Sequence, residues 1–111
     1  MPEENIFDNL QKLYFTLDRN FNKLFATCQT EEQRDQLRAA YVNARDNFWE
    51  ARNLAFQEND PLVKGLTEEL RAAQKQIEKF LRNLQDIVET LKVITAAVHF
   101  SSSLITLGGS R

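Results

Sequence analysis

The chain has 111 residues, a formal net charge of −2 and an apolar share of 42%, enough for one domain with a real core and too apolar for wholesale disorder. It holds only three Gly and two Pro, where average usage of about 7% and 5% would give roughly twice as many or more; that leaves too little turn material for a β-sandwich, a barrel or an α/β enzyme. The near-neutral balance offers no global attraction for nucleic acid or an acidic membrane, so the composition points to a few long helices.

The first element is a helix over about residues 3–28. Phe7, Leu10, Tyr14, Leu17, Phe21, Leu24 and Cys28 recur at alternating steps of three and four, the spacing of one helix face. Ile6, Leu13 and Phe25 widen the stripe. Cys28 is the lone cysteine, so no internal disulfide can form, which fits a reducing compartment. As a single small residue at the end of an apolar stripe it reads as core rather than as a nucleophile. Met1-Pro2-Glu3-Glu4-Asn5 lacks the apolar region of a signal peptide, and the expected location is the cytoplasm.

A second helix is expected over about residues 30–58. Thr30 followed by Glu31, Glu32 and Gln33 is a capping box, with both acids at the positive end of the helix dipole. Leu37, Tyr41, Ala44, Phe48, Ala51 and Ala55 form its inner stripe, and the small alanines suggest close approach to a neighbour. Arg34, Arg38, Arg45 and Arg52 alternate with Asp35, Asp46 and Glu50, which reads as a salt-bridged solvent face and not as a nucleic-acid surface. The adjacent aromatics Phe48 and Trp49 read first as packing and second as a recognition pair.

A third helix is expected over about residues 60–107. Asp60-Pro61 supplies an N-cap and the preferred first residue, and Thr67, after Gly65, offers a second start. From Val63 to Ile105 a three-four spacing runs without a slip through Leu70, Ile77, Leu84, Leu91 and Val98, with Ser101 the one non-apolar member. Six such heptads are a coiled-coil signature. No Gly or Pro lies between Gly65 and Gly108, and Gly108-Gly109 reads as the stop.

At 1.5 Å per residue the first two helices span about 38 and 43 Å, but an unbroken third spans roughly 60–70 Å. Its second half would lack partners, although no charge occurs from Val93 to Ser110 with His99 neutral. That half carries two stripes, one through Leu84, Ile87, Leu91, Ile94, Val98 and Ile105, the other through Val93, Ala97, Phe100, Leu104 and Leu107. A helix apolar on both sides has to be buried on both sides. Three solutions exist: association with a second copy, a fold-back through a break where only Asn83 and Asp86 help locally, or entry into a membrane. For the last, residues 93–109 are short and carry His99, three Ser and two Thr.

The expectation is therefore an all-α single domain over 1–111: three long antiparallel helices, a hairpin plus a longer third, in a coiled-coil-like bundle completed by dimerisation. Leu84, Ile87, Leu91, Ile94, Val98, Phe100, Leu104 and Ile105 are the expected interface. No catalytic or metal constellation emerges: His99 is the sole histidine and Ala96 stands where a Glu-x-x-His pair needs its Glu. The pairs Glu31-Glu32 and Glu68-Glu69 read as helix-start charges. No cofactor is implied. The functional expectation is a non-enzymatic helical interaction and assembly module, forming a homodimer or meeting another helical protein. The second reading is a membrane-docking protein using residues 93–110, and the third a small ligand-binding bundle.

Overall fold

The computed structural model describes residues 5–56 and 59–109. Its four helices are α1 (Ile6–Thr27), α2 (Glu31–Ala51), α3 (Pro61–Arg82) and α4 (Ile87–Gly109). The expected start of the first helix at residues 3 and 4 lies outside the described residues, as do residues 57 and 58 of the expected second.

The caps follow the sequence closely. Asn5 opens α1, its side-chain oxygen accepting Asp8 N–H at 2.8 Å. At α2 the capping box is complete: Thr30 Oγ1 accepts Gln33 N–H at 3.1 Å and Gln33 Oε1 accepts Thr30 N–H at 3.3 Å. Asp60 caps α3 with Pro61 at its first position. Thr67 therefore lies well inside α3 and starts nothing. Its buried hydroxyl donates back to Val63 O at 2.7 Å. Glu68 and Glu69 accordingly sit beyond the first turn, whereas Glu31 and Glu32 occupy theirs.

The second helix is shorter than expected. It ends at Ala51; Arg52, Asn53 and Leu54 then make tight three-back hydrogen bonds to Trp49, Glu50 and Ala51. Leu54 and Phe56 lie beside Gly108, where an added Cβ would stand 2.9 Å from the Phe56 ring and 3.1 Å from Leu54. Closing the end of the bundle with these side chains requires the chain to leave the helix before Ala55, which is exposed and outside it. Gly108 thus serves close approach. The expected glycine stop is not seen within the described residues, since α4 runs on to Gly109 and no glycine has positive φ.

The main correction concerns the third helix, which is two. The chain breaks at residues 83–86 and folds back. Asn83, at φ −148° and ψ 81°, ends α3. Asp86 opens α4: its carboxylate accepts Glu89 N–H at 3.0 Å, and its carbonyl accepts Thr90 N–H at 3.0 Å and the Thr90 hydroxyl at 2.7 Å. From the first helix, Lys23 Nζ donates to Leu81 O at 2.7 Å, satisfying a carbonyl that the end of α3 leaves without an intrahelical donor. Lys79 and Arg82 face the negative end of the same helix. The length mismatch disappears: helices of 22, 21, 22 and 23 residues match one another, and the longest dimension is 41 Å, too short for an unbroken helix of about 70 Å.

Within each hairpin, α1–α2 and α3–α4, the helices are antiparallel. Across the hairpins the neighbours are parallel. Gln36 Nε2 donates to Thr95 Oγ1 at 2.9 Å and Asn47 Nδ2 to Ser102 Oγ at 3.1 Å, tying α2 to α4. Gln74 Nε2 donates to Thr16 Oγ1 at 2.9 Å, tying α3 to α1. Helices α2 and α3 lie on a diagonal with no direct packing, so the link between them crosses the end of the bundle. One cluster fills the middle, from Leu10, Leu13, Leu17 and Leu24 through Leu37 and Ala44 to Leu70, Ile77, Leu91, Ile94 and Leu104. Small Ala40, Ala44 and Ala51 let α2 come close to its neighbours. Ser101, the polar member of the heptads, is fully buried and donates to Ala97 O at 3.0 Å.

Candidate association surface

The fold-back redistributes the residues expected at a dimer interface. Ile87, Leu91, Ile94, Val98 and Leu104 are buried in the core of one chain, and Leu84, Phe100 and Ile105 pack half-buried against it. An association surface has to be sought in what this bundle leaves outside.

That surface lies between α3 and α4. A groove of about 360 Å³ is lined by Glu69, Ala72, Ala73 and Gln76 of α3 and by Lys92, Val93, Ala96 and Phe100 of α4. Alanines form the α3 side because Ala72 and Ala73 hold neighbouring positions on the turn that faces α4. Ala96 stands between Val93 and Phe100, which are half-buried and offer apolar edges. Phe100 belonged to the expected interface. Val93 and Phe100 belonged to the second apolar stripe, whose Ala97 and Leu104 are instead fully buried in the core. Ala72 and Ala96 carried no signal in the sequence, and Ala73 read only as a member of the apolar three-four spacing, because an alanine contributes to a surface only through what its smallness admits. Leu62, 66% exposed, lies seven residues before Glu69 and extends the α3 side of the groove; Val88, 62% exposed, lies seven residues before Thr95 and so on the side of α4 toward α2.

Other candidates resolve differently. Cys28 is buried beside the α1–α2 turn; burial pushes its thiol up, with the nearby Arg34 and Arg38 charges partly offsetting this, the opposite of an activated nucleophile. His99 is exposed on α4. The arginines of α2 are engaged as the sequence suggests: Arg34 with Glu31 at 3.3 Å, Arg38 with Glu31 at 3.3 Å and Asp35 at 2.7 Å, Arg45 with Asp46 at 3.4 Å. The hydrogen bond from Arg38 leads the effects that hold the Glu31 carboxyl below its ordinary range. Phe48 is buried in a ladder of rings with Phe7 and Tyr14, at centroid distances of 5.2 and 5.5 Å. Trp49 stands outside, 51% exposed, with the Arg52 guanidinium 5.1 Å above its ring. Tyr41 donates to Asp18 at 2.7 Å, and that bond to a carboxylate, with some burial, drives the phenol well above its usual range. Among the described residues no group of three or more His, Cys, Asp or Glu is placed to hold a metal ion. Residues Ile87–Gly108 are long and apolar enough to cross a membrane by length and composition, with mean hydropathy 1.3.

Comparison with protein families, curated proteins and solved structures finds none that matches this chain. The fold defines its class, an all-α four-helix bundle, and function has to be argued from its surface.

Proposed function

We propose that this protein is a non-catalytic helical association module that assembles with a second copy through the α3–α4 face. The observation that carries the reading is the groove with its alanine floor and apolar edges, extended along α3 by the exposed Leu62. A floor of small side chains lets a facing helix approach closely, and exposed apolar side chains gathered on one side are the usual mark of a contact surface. The surface differs from the seam through Leu84, Ile87, Leu91 and Ile94 expected from the heptads, whose apolar groups the single chain already buries. Sedimentation equilibrium at tens of micromolar tests the proposal. The wild-type chain should have twice its monomer mass, and Ala96→Glu, which sets a charge in the groove without entering the core, should return it to monomer with its helical signal intact. A monomeric wild-type chain would refute the reading.

The second reading, membrane docking through residues 93–110, draws on the length and apolarity of α4. It is weaker, because α4 would have to abandon its bonds from Gln36 and Asn47 and its place in the core. The exposed positions on α4 include Thr95, His99 and Thr106. Flotation with phosphatidylcholine–phosphatidylglycerol vesicles separates the two readings: an associating module stays with the soluble fraction.

A further inference from the structure

The groove has opposite charges at its two ends. Because α3 and α4 are antiparallel, Gln76 lies at the end where Lys92 stands, and Glu69 lies at the other end beside Phe100. The seven residues from Glu69 to Gln76 rise about 10 Å, so acid and base are separated by about that distance along the groove. Both side chains are exposed, and neither has an ion-pair partner among the described residues. On α2, by contrast, Arg34, Arg38 and Arg45 are each satisfied by acids of the same helix.

Two identical faces can meet with their grooves in the same direction or in opposite directions. In the same direction, each charge meets its own kind at each end: Lys92 opposes the partner's Lys92, and Glu69 the partner's Glu69. In opposite directions, about a two-fold axis in the interface plane and perpendicular to the groove, Lys92 meets the partner's Glu69 and Glu69 meets the partner's Lys92. Such a contact is self-complementary and closed, which is the symmetry of most homodimers. Leu62 lies seven residues before Glu69 and hence on the same side of α3. The rotation carries Leu62 to the end where the partner's Lys92 stands.

We infer that the α3–α4 groove pairs with the same groove of a second copy in antiparallel register, selected by reciprocal Lys92–Glu69 contacts at its two ends. This rests on the association proposed above and adds its register. Charges at the rim of an interface act mainly by excluding the wrong arrangement.

The test is a charge swap read by sedimentation equilibrium at low and high salt, on the full chain. Glu69→Lys and Lys92→Glu each place like charges at both ends, and each should weaken the dimer about tenfold, since each reverses two exposed charge pairs. The double variant Glu69→Lys/Lys92→Glu restores both attractions and should return the dissociation constant to within about threefold of wild type. The single-variant losses should shrink at about 0.5 M salt, where screening is strong. Both positions face solvent in the single chain, so the helical signal should stay unchanged. A wild-type dimer that Ala96→Glu dissociates but neither charge reversal weakens overturns the register while leaving the surface standing. Loss in both single variants without recovery in the double overturns the reciprocal contact. A monomeric wild-type chain, or a dimer indifferent to all these changes, overturns the surface itself.

Discussion

Replacing Asp86 by Ala probes the break between α3 and α4. Asp86 Oδ1 accepts the Glu89 N–H at 3.0 Å, one of the donors that the start of a helix leaves without an intrahelical partner. Losing such a cap costs about 1 kcal/mol, within a range of roughly 0.5–2. Its charge at the positive end of α4 adds about 0.3–1 kcal/mol at an exposed site, so the combined loss is about 1.5 kcal/mol. The Asp86 carbonyl, which accepts from Thr90 N–H and hydroxyl, is a backbone group and survives the change. For a domain of this size about 1 kcal/mol moves the melting temperature by roughly 4–8 °C, so Asp86→Ala should melt about 6–12 °C below wild type by circular dichroism. Asp86→Asn keeps a good capping side chain and loses only the charge; its drop should be less than half as large. A melting temperature within a degree of wild type for Asp86→Ala, or equal losses for the two variants, would refute the assignment of Asp86 as the residue that opens α4.

Gly65 lies inside α3 with nothing within 4 Å of where a Cβ would stand, so Gly65→Ala should stabilise by about 0.5–1 kcal/mol and raise the urea midpoint. Gly108→Ala meets the Phe56 ring at 2.9 Å and should destabilise by about 1–3 kcal/mol; the loss should be smaller in a Phe56→Ala background, and equal losses in the two backgrounds would contradict the contact. Ile94, fully buried, should lose about 2–5 kcal/mol on truncation to Ala; Ile94→Asp should unfold the chain itself, and a folded Ile94→Asp monomer would place that side chain outside the core. The Tyr41 phenol is raised because its ionised form would face Asp18. A raised acid favours the folded state while it stays protonated, so this stabilisation is complete below the ordinary tyrosine range of about 10 and fades as pH climbs through the higher folded value. Asp18→Ala should shift the late part of the phenolate absorbance titration to lower pH.

Much of the architecture was legible locally. The caps at Thr30 and Asp60 are chemical statements made within four residues, and both stand at the helix starts they announce. The three-four spacing named most of the core, including Leu10, Leu17, Leu37, Leu70, Ile77, Leu91 and Ile94. The central aromatics were displaced toward the rim: Phe7, Tyr14 and Phe21 are partly buried, while Leu13 from the edge of the stripe is fully inside. The helix turned by a fraction of a step because leucines fill a narrow four-helix interior, whereas rings stack on the outer α1–α2 seam. The groove was less legible, since two of its edges, Val93 and Phe100, were visible as a second stripe and Ala73 only as core, but Ala72 and Ala96 were not visible at all.

By itself the sequence determined that this protein is helical, where its second and third helices begin, and most of the residues that avoid water. It did not determine that the last apolar stretch reverses. An apolar period reports which side of a helix is buried and says nothing about chain direction, so the heptads of α3 and α4 continue in phase across residues 83–86 and conceal the break. Asp86 and Asn83 made a reversal feasible. The tertiary structure decided it: folding back sets Ile87, Leu91 and Ile94 against the same core as Leu70 and Ile77, and the carbonyl exposed at the end of α3 finds its donor in Lys23, 58 residues away in sequence.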